Sequence, residues 1–215
     1  MEIQFWADVV CPWCYLGKRR FEHALAAFPH RDQVRVVHRA FQLDPTLPNG
    51  ETQDQQELLI RKFGEQAGRI LASQAELVRL GAIEGLEYRF EGALAGNTFD
   101  AHQLIRLGLE RGVQPAVIER FFRAQFTEHR SLFEADSLVE LAAEAGLDPE
   151  EARAVLKEDR FGDSVGQDVR AAHEYGANGV PFLVLDNRYG ISGAQPTEVF
   201  AGALARAWTE HSQPS

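Results

Sequence analysis

The pattern of apolar and polar positions changes twice along the first forty residues. In residues 3–7, Ile3, Phe5 and Ala7 alternate with Gln4 and Trp6, which predicts a short β-strand almost at the N-terminus. From Pro12 the apolar spacing becomes helical and continues to Phe28, and Pro29 ends the predicted helix. A valine-rich stretch at residues 33–41 predicts a second strand, parallel to the first because a helix crosses between them.

The middle of the chain has a helical period almost throughout. A loop rich in turn-forming residues, 43–50, precedes it. Apolar positions then recur at helical spacing, and we expect each such stripe to face a hydrophobic core. Asp148 followed by Pro149 predicts an N-cap and the first residue of a late helix. The first apolar stripe consists of Leu59, Ile60, Phe63, Ala67, Ile70 and Leu71.

Strand character returns late in the chain. Residues 181–185 are continuously apolar, residues 186–188 favour a turn, and residues 189–192 would form the returning strand. Together they predict a β-hairpin. Residues 195–208 then predict a final amphipathic helix. A β–α–β beginning and a β–β–α end therefore enclose a helical block, and the fold class is α/β.

Composition and charge exclude several classes of protein. The chain has 215 residues, 45% of them hydrophobic and 25% charged, which is typical of a globular protein. Its formal charge of −10 disfavours binding to nucleic acid or to an anionic membrane surface, because both require a basic face. The first residues lack the basic and apolar segments of a signal peptide, so we expect a cytoplasmic location.

Cys11-Pro12-Trp13-Cys14 is the strongest chemical signal in the sequence. Two cysteines three positions apart at the start of a helix lie on one face and can form a disulfide. The positive end of the helix dipole stabilises a thiolate on the first, and the thiolate is the nucleophile. We therefore expect Cys11 to be the exposed attacking thiol and Cys14, more buried, to resolve the mixed disulfide. Pro12 suits the first helical turn.

Two structural explanations of this cysteine pair are weaker. A zinc site needs two further ligands, but the chain has only two cysteines and its seven histidines are scattered. We accordingly predict no metal ion. A purely structural disulfide is disfavoured by the reducing cytoplasm and by the very small loop that it would close.

A second motif, Gly179-Val180-Pro181-Phe182, lies at the start of the late hairpin and resembles the cis-proline loop of thioredoxin-fold proteins. A proline at the first residue of an edge strand explains this motif equally well when it is considered alone. Together with a cysteine pair after the first strand, the functional interpretation is favoured. The Val180 backbone would then pair with an extended substrate.

The motifs together resemble the DsbA-like thioredoxin superfamily, and within it the cytoplasmic FrnE branch. The segments that carry the resemblance are residues 5–17, 97–102, 179–182 and 192–195. The resemblance implies a thioredoxin fold (βαβ–ββα) interrupted by a large α-helical insertion. The thioredoxin-like domain would comprise residues 1–43 and 164–215, and the insertion residues 44–163. It also implies that Cys11 and Cys14 are the redox pair and that Pro181 is the cis-proline.

The predicted function is thiol–disulfide exchange, with disulfide isomerisation as a further activity, on protein or small-molecule disulfides. Pro12, Trp13, Val180 and Pro181 would contact the substrate. No cofactor is required beyond the Cys11–Cys14 disulfide, although glutathione is a candidate co-substrate. The partners would be disulfide-containing proteins or small thiols, with no nucleic acid and no membrane, and the protein would be a monomer or a homodimer.

Two other functions remain open at this point. One is a glutathione-dependent isomerase or transferase, like 2-hydroxychromene-2-carboxylate isomerase or the kappa-class enzymes, which tend to have a lone serine or cysteine at the first position. Cys14 argues against it. The other is a binding or chaperone module in which the cysteines are dispensable. Asp8 is a candidate for proton transfer, with a role as a loop or cap residue as the alternative. Asn97 and His102 would line the cleft from the insertion, and a hydrogen-bonded core or cap role is the favoured alternative for both.

Trp13 leads to a prediction of the reduction potential. It stands where strongly oxidising periplasmic DsbA proteins have a histidine, and its indole N–H offers less stabilisation to a thiolate. We therefore expect a potential between about −270 mV, the value of thioredoxin, and about −120 mV, the value of DsbA. Equilibration with glutathione redox buffers measures it, and a value as oxidising as that of DsbA would contradict the prediction.

Overall fold

The computed structural model describes residues 1–212, which form two compact units. The first unit comprises Met1–Phe41 and the chain from Gly166 onward, and the second comprises Gln42–Val165. The boundaries expected from the sequence, after residue 43 and before residue 164, lie two residues from these limits.

The helices and strands are numbered in chain order. They are β1 (Glu2–Ala7), α1 (Pro12–Ala26), β2 (Arg35–Ala40), β3 (Gln53–Asp54), α2 (Gln55–Phe63), α3 (Ala67–Ile83), β4 (Leu94–Ala95), α4 (Phe99–Glu110), α5 (Gln114–Arg123), α6 (Ala135–Glu144), α7 (Pro149–Glu158), α8 (Gly162–Glu174), β5 (Phe182–Leu185), β6 (Tyr189–Ser192) and α9 (Thr197–His211). A π-helical turn follows α5 over Ala124–Glu128.

A four-stranded mixed sheet in the order β2-β1-β5-β6 is the centre of the first unit. Strand β1 runs parallel to β2 and antiparallel to β5, where Trp6 pairs with Phe182. The predicted βαβ unit and hairpin are both confirmed. Asp186 and Asn187 in the hairpin turn have positive φ angles of 52° and 53°, which aspartate and asparagine tolerate better than most residues.

Both faces of this sheet are covered by helices of the first unit, because successive side chains of a strand point to opposite faces. On one face Trp6 packs with Phe182 and Ala172, and its indole Nε1 donates a hydrogen bond to the carbonyl oxygen of Asp168 in α8 at 2.8 Å. On the other face the ring of Phe5 lies 6.0 Å from that of Phe21 in α1. Successive side chains of β1 therefore point to opposite faces of the sheet, as the sequence predicts.

The second unit is built mainly of helices. Its core contains many fully buried aromatic and leucine side chains of α4, α5 and the following π-helical turn, among them Leu104, Phe121, Phe122 and Phe126. The predicted cap of α7 is confirmed, because the carboxylate of Asp148 accepts a hydrogen bond from the backbone N–H of Glu151 at 2.8 Å. Within residues 1–212, no helix has both the length and the apolarity required to cross a membrane.

The expectation that every apolar stripe faces a core is wrong for α2. None of its residues is buried, and the side chains of Ile60 and Phe63 are 54% and 39% exposed. Of the predicted stripe only Ala67, at the start of α3, is buried. A helical period shows which side chains share a face, but it does not show whether another element covers that face.

A buried histidine lies beneath α1. His38 on β2 has its ring 5.3 Å from the ring of Phe5, and Lys18 on α1 is also buried, with its ammonium group 2.7 Å from the Glu22 carboxylate. Burial, and then the positive charge of Lys18, lower the pKa of His38 from 6.5 to about 3. The native protein therefore holds His38 neutral over most of the acidic range.

This shift predicts a loss of stability in acid. Between pH 6.5 and about pH 3 the unfolded chain binds a proton at residue 38 that the native protein does not bind. The free energy of unfolding should therefore fall with decreasing pH, by up to about 1.4 kcal/mol per pH unit from this residue. In His38→Gln we expect a shallower pH dependence, measured by urea unfolding at several pH values from 7 to 4.

The matched control is His23→Gln, which removes an exposed imidazole from α1. It should leave the slope as in the wild type, because an exposed side chain changes its solvation little on unfolding. Equal slopes for His38→Gln and the wild type would contradict the account of His38.

Candidate active site

The two cysteines lie where β1 leads into α1. Cys11 is the N-cap residue of the helix, Pro12 occupies the first helical turn, and the backbone N–H of Cys14 donates to the carbonyl of Cys11 at 3.0 Å. The Cys11 sulfur therefore lies at the helix N-terminus, where unpaired N–H groups favour negative charge. Cys14 is one turn further along and completely buried, as expected of it from the sequence.

The expected exposure of Cys11 is wrong, because only 5% of this residue is exposed. Its thiol points toward the loop before β5 and donates a hydrogen bond to the carbonyl oxygen of Val180, with the sulfur 3.6 Å from that oxygen. Sequence spacing places the sulfur at the helix end, but it does not show which backbone lies against it.

The Val180–Pro181 loop is held at one end of the sheet. The peptide bond between these two residues is cis. The carbonyl of Pro181 accepts a hydrogen bond from the backbone N–H of Gly193 at 2.8 Å, which extends the pairing of β5 with β6 by one residue. The structure thus brings Cys11, Val180 and Pro181 together, although 169 positions separate Cys11 from Val180 in the chain.

Both cysteines are present as free thiols, and their surroundings differ. Burial is the largest of the causes that raise the pKa of the Cys14 thiol well above its ordinary value, followed by a hydrogen bond to Cys11 and the charge interaction with Cys11. Cys14 therefore stays protonated where an ordinary thiol would ionise. A protonated Cys14 can donate a hydrogen bond to the sulfur of Cys11.

Asp8 is completely buried in the loop between β1 and α1. Its carbonyl oxygen accepts a hydrogen bond from the backbone N–H of Cys11 at 3.0 Å, and this is a loop-stabilising role. A backbone hydrogen bond from Asp8 lowers the pKa of Cys14, whereas the negative charge of its carboxylate raises it. Both effects place Asp8 close to the second cysteine.

Trp13 is the most exposed residue of the motif, at 36%, while Pro12 is partly buried. The indole is therefore accessible to a molecule that approaches the start of α1. The exposure is compatible with the substrate contact that the sequence predicts for Trp13.

Gly17 is a residue of this region that sequence reasoning missed. It is buried in α1, and a Cβ atom at this position would lie 2.9 Å from Cγ of Pro181 and 3.3 Å from Cα of Ala194. One turn further, the guanidinium of Arg20 donates to the carbonyl of Ala194 at 2.8 Å. The available signal is a glycine inside a helix, because glycine costs about 1 kcal/mol there relative to alanine.

Asn97 has the structural role that its sequence context favoured. In the second unit its side-chain oxygen accepts a hydrogen bond from the backbone N–H of Phe99 at 2.9 Å, and its amide nitrogen donates to the carbonyl of Leu47 at 2.6 Å. Both bonds stabilise loops. His102 is buried in the first turns of α4.

In the part of the chain that the structure describes, no group of three or more histidine, cysteine, aspartate or glutamate side chains is placed to hold a metal ion.

Known proteins share this fold and, in one case, much of the sequence. A probable DsbA oxidoreductase from Streptomyces coelicolor is 48% identical, and the match covers 100% of this chain and 93% of that one with a TM-score of 0.93. The cytosolic disulfide reductase DsbM from Pseudomonas aeruginosa, solved with GSH, is 19% identical over 97% of this chain and 100% of its own, with a TM-score of 0.67. A structure of 2-hydroxychromene-2-carboxylate isomerase is 16% identical over 98% of both chains, with a TM-score of 0.72.

At these identities the last two structures show a common fold only. The family model of the DSBA-like thioredoxin domain matches residues 2–205, which is nearly the whole chain. This protein therefore belongs to the family of DSBA-like thioredoxin domains.

Proposed function

We propose that this protein catalyses thiol–disulfide exchange with Cys11 as the attacking thiol and Cys14 as the resolving thiol. The observation that carries the proposal is the position of the Cys11 sulfur, at the N-terminus of α1 and 3.6 Å from the Val180 carbonyl. The helix end favours the thiolate, and the neighbouring backbone offers an edge along which an extended substrate can lie.

The proposed reaction proceeds in two steps. The Cys11 thiolate attacks one sulfur of a substrate disulfide, a Cys11–substrate disulfide forms, and the first substrate thiolate leaves. Cys14, after losing its proton, attacks the Cys11 sulfur, so that the Cys11–Cys14 disulfide forms and the second substrate thiolate leaves. Two electrons pass from the protein to the substrate, and the two thiol protons end on the leaving thiolates.

The different environments of the two cysteines support these roles. Because its raised pKa keeps Cys14 protonated, it does not compete with Cys11 for the substrate. A buried Asp8 close to Cys14 is suited to accept the Cys14 proton during resolution. Isomerisation of protein disulfides would follow if the mixed disulfide were attacked by another substrate thiol before Cys14 reacted.

The proposed substrates are disulfides of proteins or small molecules, with a small thiol such as glutathione closing the cycle in the cytoplasm. Pro12, Trp13, Val180 and Pro181 would contact the substrate, because Pro12 and Trp13 directly follow Cys11 in the chain, and Val180, whose carbonyl accepts the hydrogen bond of the Cys11 thiol, directly precedes Pro181. The DsbM structure solved with GSH has the same fold, which supports glutathione as the small thiol. No further cofactor is part of the proposal.

A glutathione-dependent isomerase is the second candidate, because 2-hydroxychromene-2-carboxylate isomerase shares the fold. That chemistry requires one residue to activate glutathione and gives no role to a second thiol. Cys14 lies one turn from Cys11 in this chain and is hydrogen-bonded to it, which favours dithiol exchange.

Two serine variants test the proposal. We expect Cys11→Ser to reduce the catalysed reduction of insulin by glutathione by at least about 100-fold, because the covalent step is lost. Cys14→Ser should also lose turnover but should accumulate a mixed disulfide at Cys11, because resolution fails. Insulin turbidity, reactivation of scrambled ribonuclease and intact-protein mass spectrometry provide the measurements.

The two variants also distinguish the alternatives. Isomerase or transferase activity that survives in Cys14→Ser and requires glutathione would contradict dithiol exchange and support the second candidate. Function that survives in both variants would contradict both candidates and indicate a binding or chaperone module.

The raised pKa of Cys14 predicts a pH profile. In Cys11→Ser, burial, the largest of the causes, remains, so Cys14 should react with iodoacetamide only at a pH well above the range of an ordinary thiol. The same variant unfolded in urea is the control and should show ordinary cysteine reactivity. Coincident pH profiles for the folded and unfolded variant would show that the fold does not hold Cys14 protonated.

A further inference from the structure

Two residues of α1 join the cysteine helix to the loop that carries Val180 and Pro181. Gly17 lies against the Pro181 ring and Ala194, while Arg20 donates a hydrogen bond to the Ala194 carbonyl at 2.8 Å. The backbone N–H of Gly193 in turn donates to the Pro181 carbonyl at 2.8 Å. A continuous chain of contacts therefore runs from the helix that begins at Cys11 to the residue next to Val180.

The contact at Gly17 leaves no room for a side chain. A Cβ atom would lie 2.9 Å from Cγ of Pro181, closer than such atoms approach in proteins. The Pro181 ring is fused to the backbone, so it cannot rotate away as the end of a flexible side chain would. The atom at 3.3 Å on the other side is the backbone Cα of Ala194, and it cannot rotate away either. An alanine at position 17 must therefore displace the loop or the helix.

We propose that Gly17, supported by Arg20, is a positioning residue that fixes the separation between the Cys11 sulfur and the Val180 backbone. The inference rests on the proposed function and specifies its substrate class. The site is built for disulfides held in an extended peptide, because such a substrate must meet the Val180 edge and the sulfur at the same time. A small reagent that contacts only the sulfur does not depend on this separation.

The separation matters because displacement of a reacting group by about 1 Å can reduce a rate by about 100-fold. The distance from the Cys11 sulfur to the Val180 oxygen is 3.6 Å, so a shift of the loop by a few tenths of an ångström already changes how a bound peptide presents its disulfide. The sulfur itself stays at the N-terminus of α1 when the loop moves, and its intrinsic reactivity should therefore persist.

The test compares Gly17→Ala with Gly202→Ala. Both glycines lie in helices of the first unit, but a Cβ at position 202 meets nothing within 4 Å. For Gly17→Ala we expect kcat/KM for a disulfide-containing peptide to fall by about 10- to 100-fold. The rate of Cys11 alkylation by iodoacetamide should stay within about 3-fold of the wild type, because this step needs no peptide alignment. Gly202→Ala should leave both rates unchanged.

An equal fall of both rates in Gly17→Ala would overturn the inference, since it would indicate general damage to the site. An unchanged kcat/KM for the peptide would also overturn it. If the wild type itself exchanged no disulfide, the proposed function would fail first, and the inference would fail with it. Disulfide exchange by the wild type thus distinguishes a failure of the proposed function from a failure of the inference about Gly17.

Arg20→Met tests the same link if Gly17→Ala does not fold, as circular dichroism would show. This change removes the hydrogen bond to the Ala194 carbonyl and keeps an apolar stem of similar length. We expect a selective fall of about 3- to 10-fold in kcat/KM for the peptide, relative to alkylation. Arg19→Met is the matched control, because the Arg19 guanidinium faces Glu22 at 3.5 Å. Equal effects of the two arginine variants would overturn the inference.

Discussion

The antiparallel pairing of β1 with β5 is the constraint on which the candidate site depends. Trp6 lies opposite Phe182, so the chain that leaves β1 and the chain that enters β5 meet at the same end of the sheet. The first of these segments carries Cys11 and the second carries Val180. Because a shift of one residue would turn every side chain of β5 to the other face, the buried pairing of Trp6 with Phe182 fixes this register strongly. The core of the sheet thereby determines which backbone faces the sulfur.

The same junction gives two identical side chains different chemistry. Cys11 takes the N-cap position, where helix N–H groups are unpaired, whereas Cys14 lies one turn deeper in a fully desolvated position. Burial raises the pKa of the Cys14 thiol, and a buried Asp8 adds a negative charge that acts in the same direction. In the proposed exchange Cys11 attacks the substrate and Cys14 resolves the mixed disulfide. The proposed order of the two steps then follows from the depth of each sulfur in the fold rather than from the residue type.

Sequence patterns predicted the elements of the first unit well, because each pattern has a local cause. The alternation in β1, the proline after Cys11 and the Asp186–Asn187 turn all act within a few residues. The burial of Cys11 and the contact of Gly17 with Pro181 could not be predicted in this way, since both depend on residues more than 150 positions apart. The prediction that the apolar stripe of α2 faces a core was wrong for a related reason. A helical period identifies the apolar face of a helix, but it does not identify the element that covers that face.

Gly17 has a local cost in its helix that a long-range contact explains. An alanine at this position would stabilise an isolated helix by about 1 kcal/mol, so helix propensity alone disfavours the residue that is present. The Pro181 ring supplies the reason, because it occupies the space that a side chain would need. Gly202 in α9 has the same cost with no such neighbour, and the two glycines therefore differ only in what surrounds them. A glycine inside a helix therefore does not by itself show a close approach to a loop, and only the fold shows that Gly17 has such a neighbour and Gly202 has none.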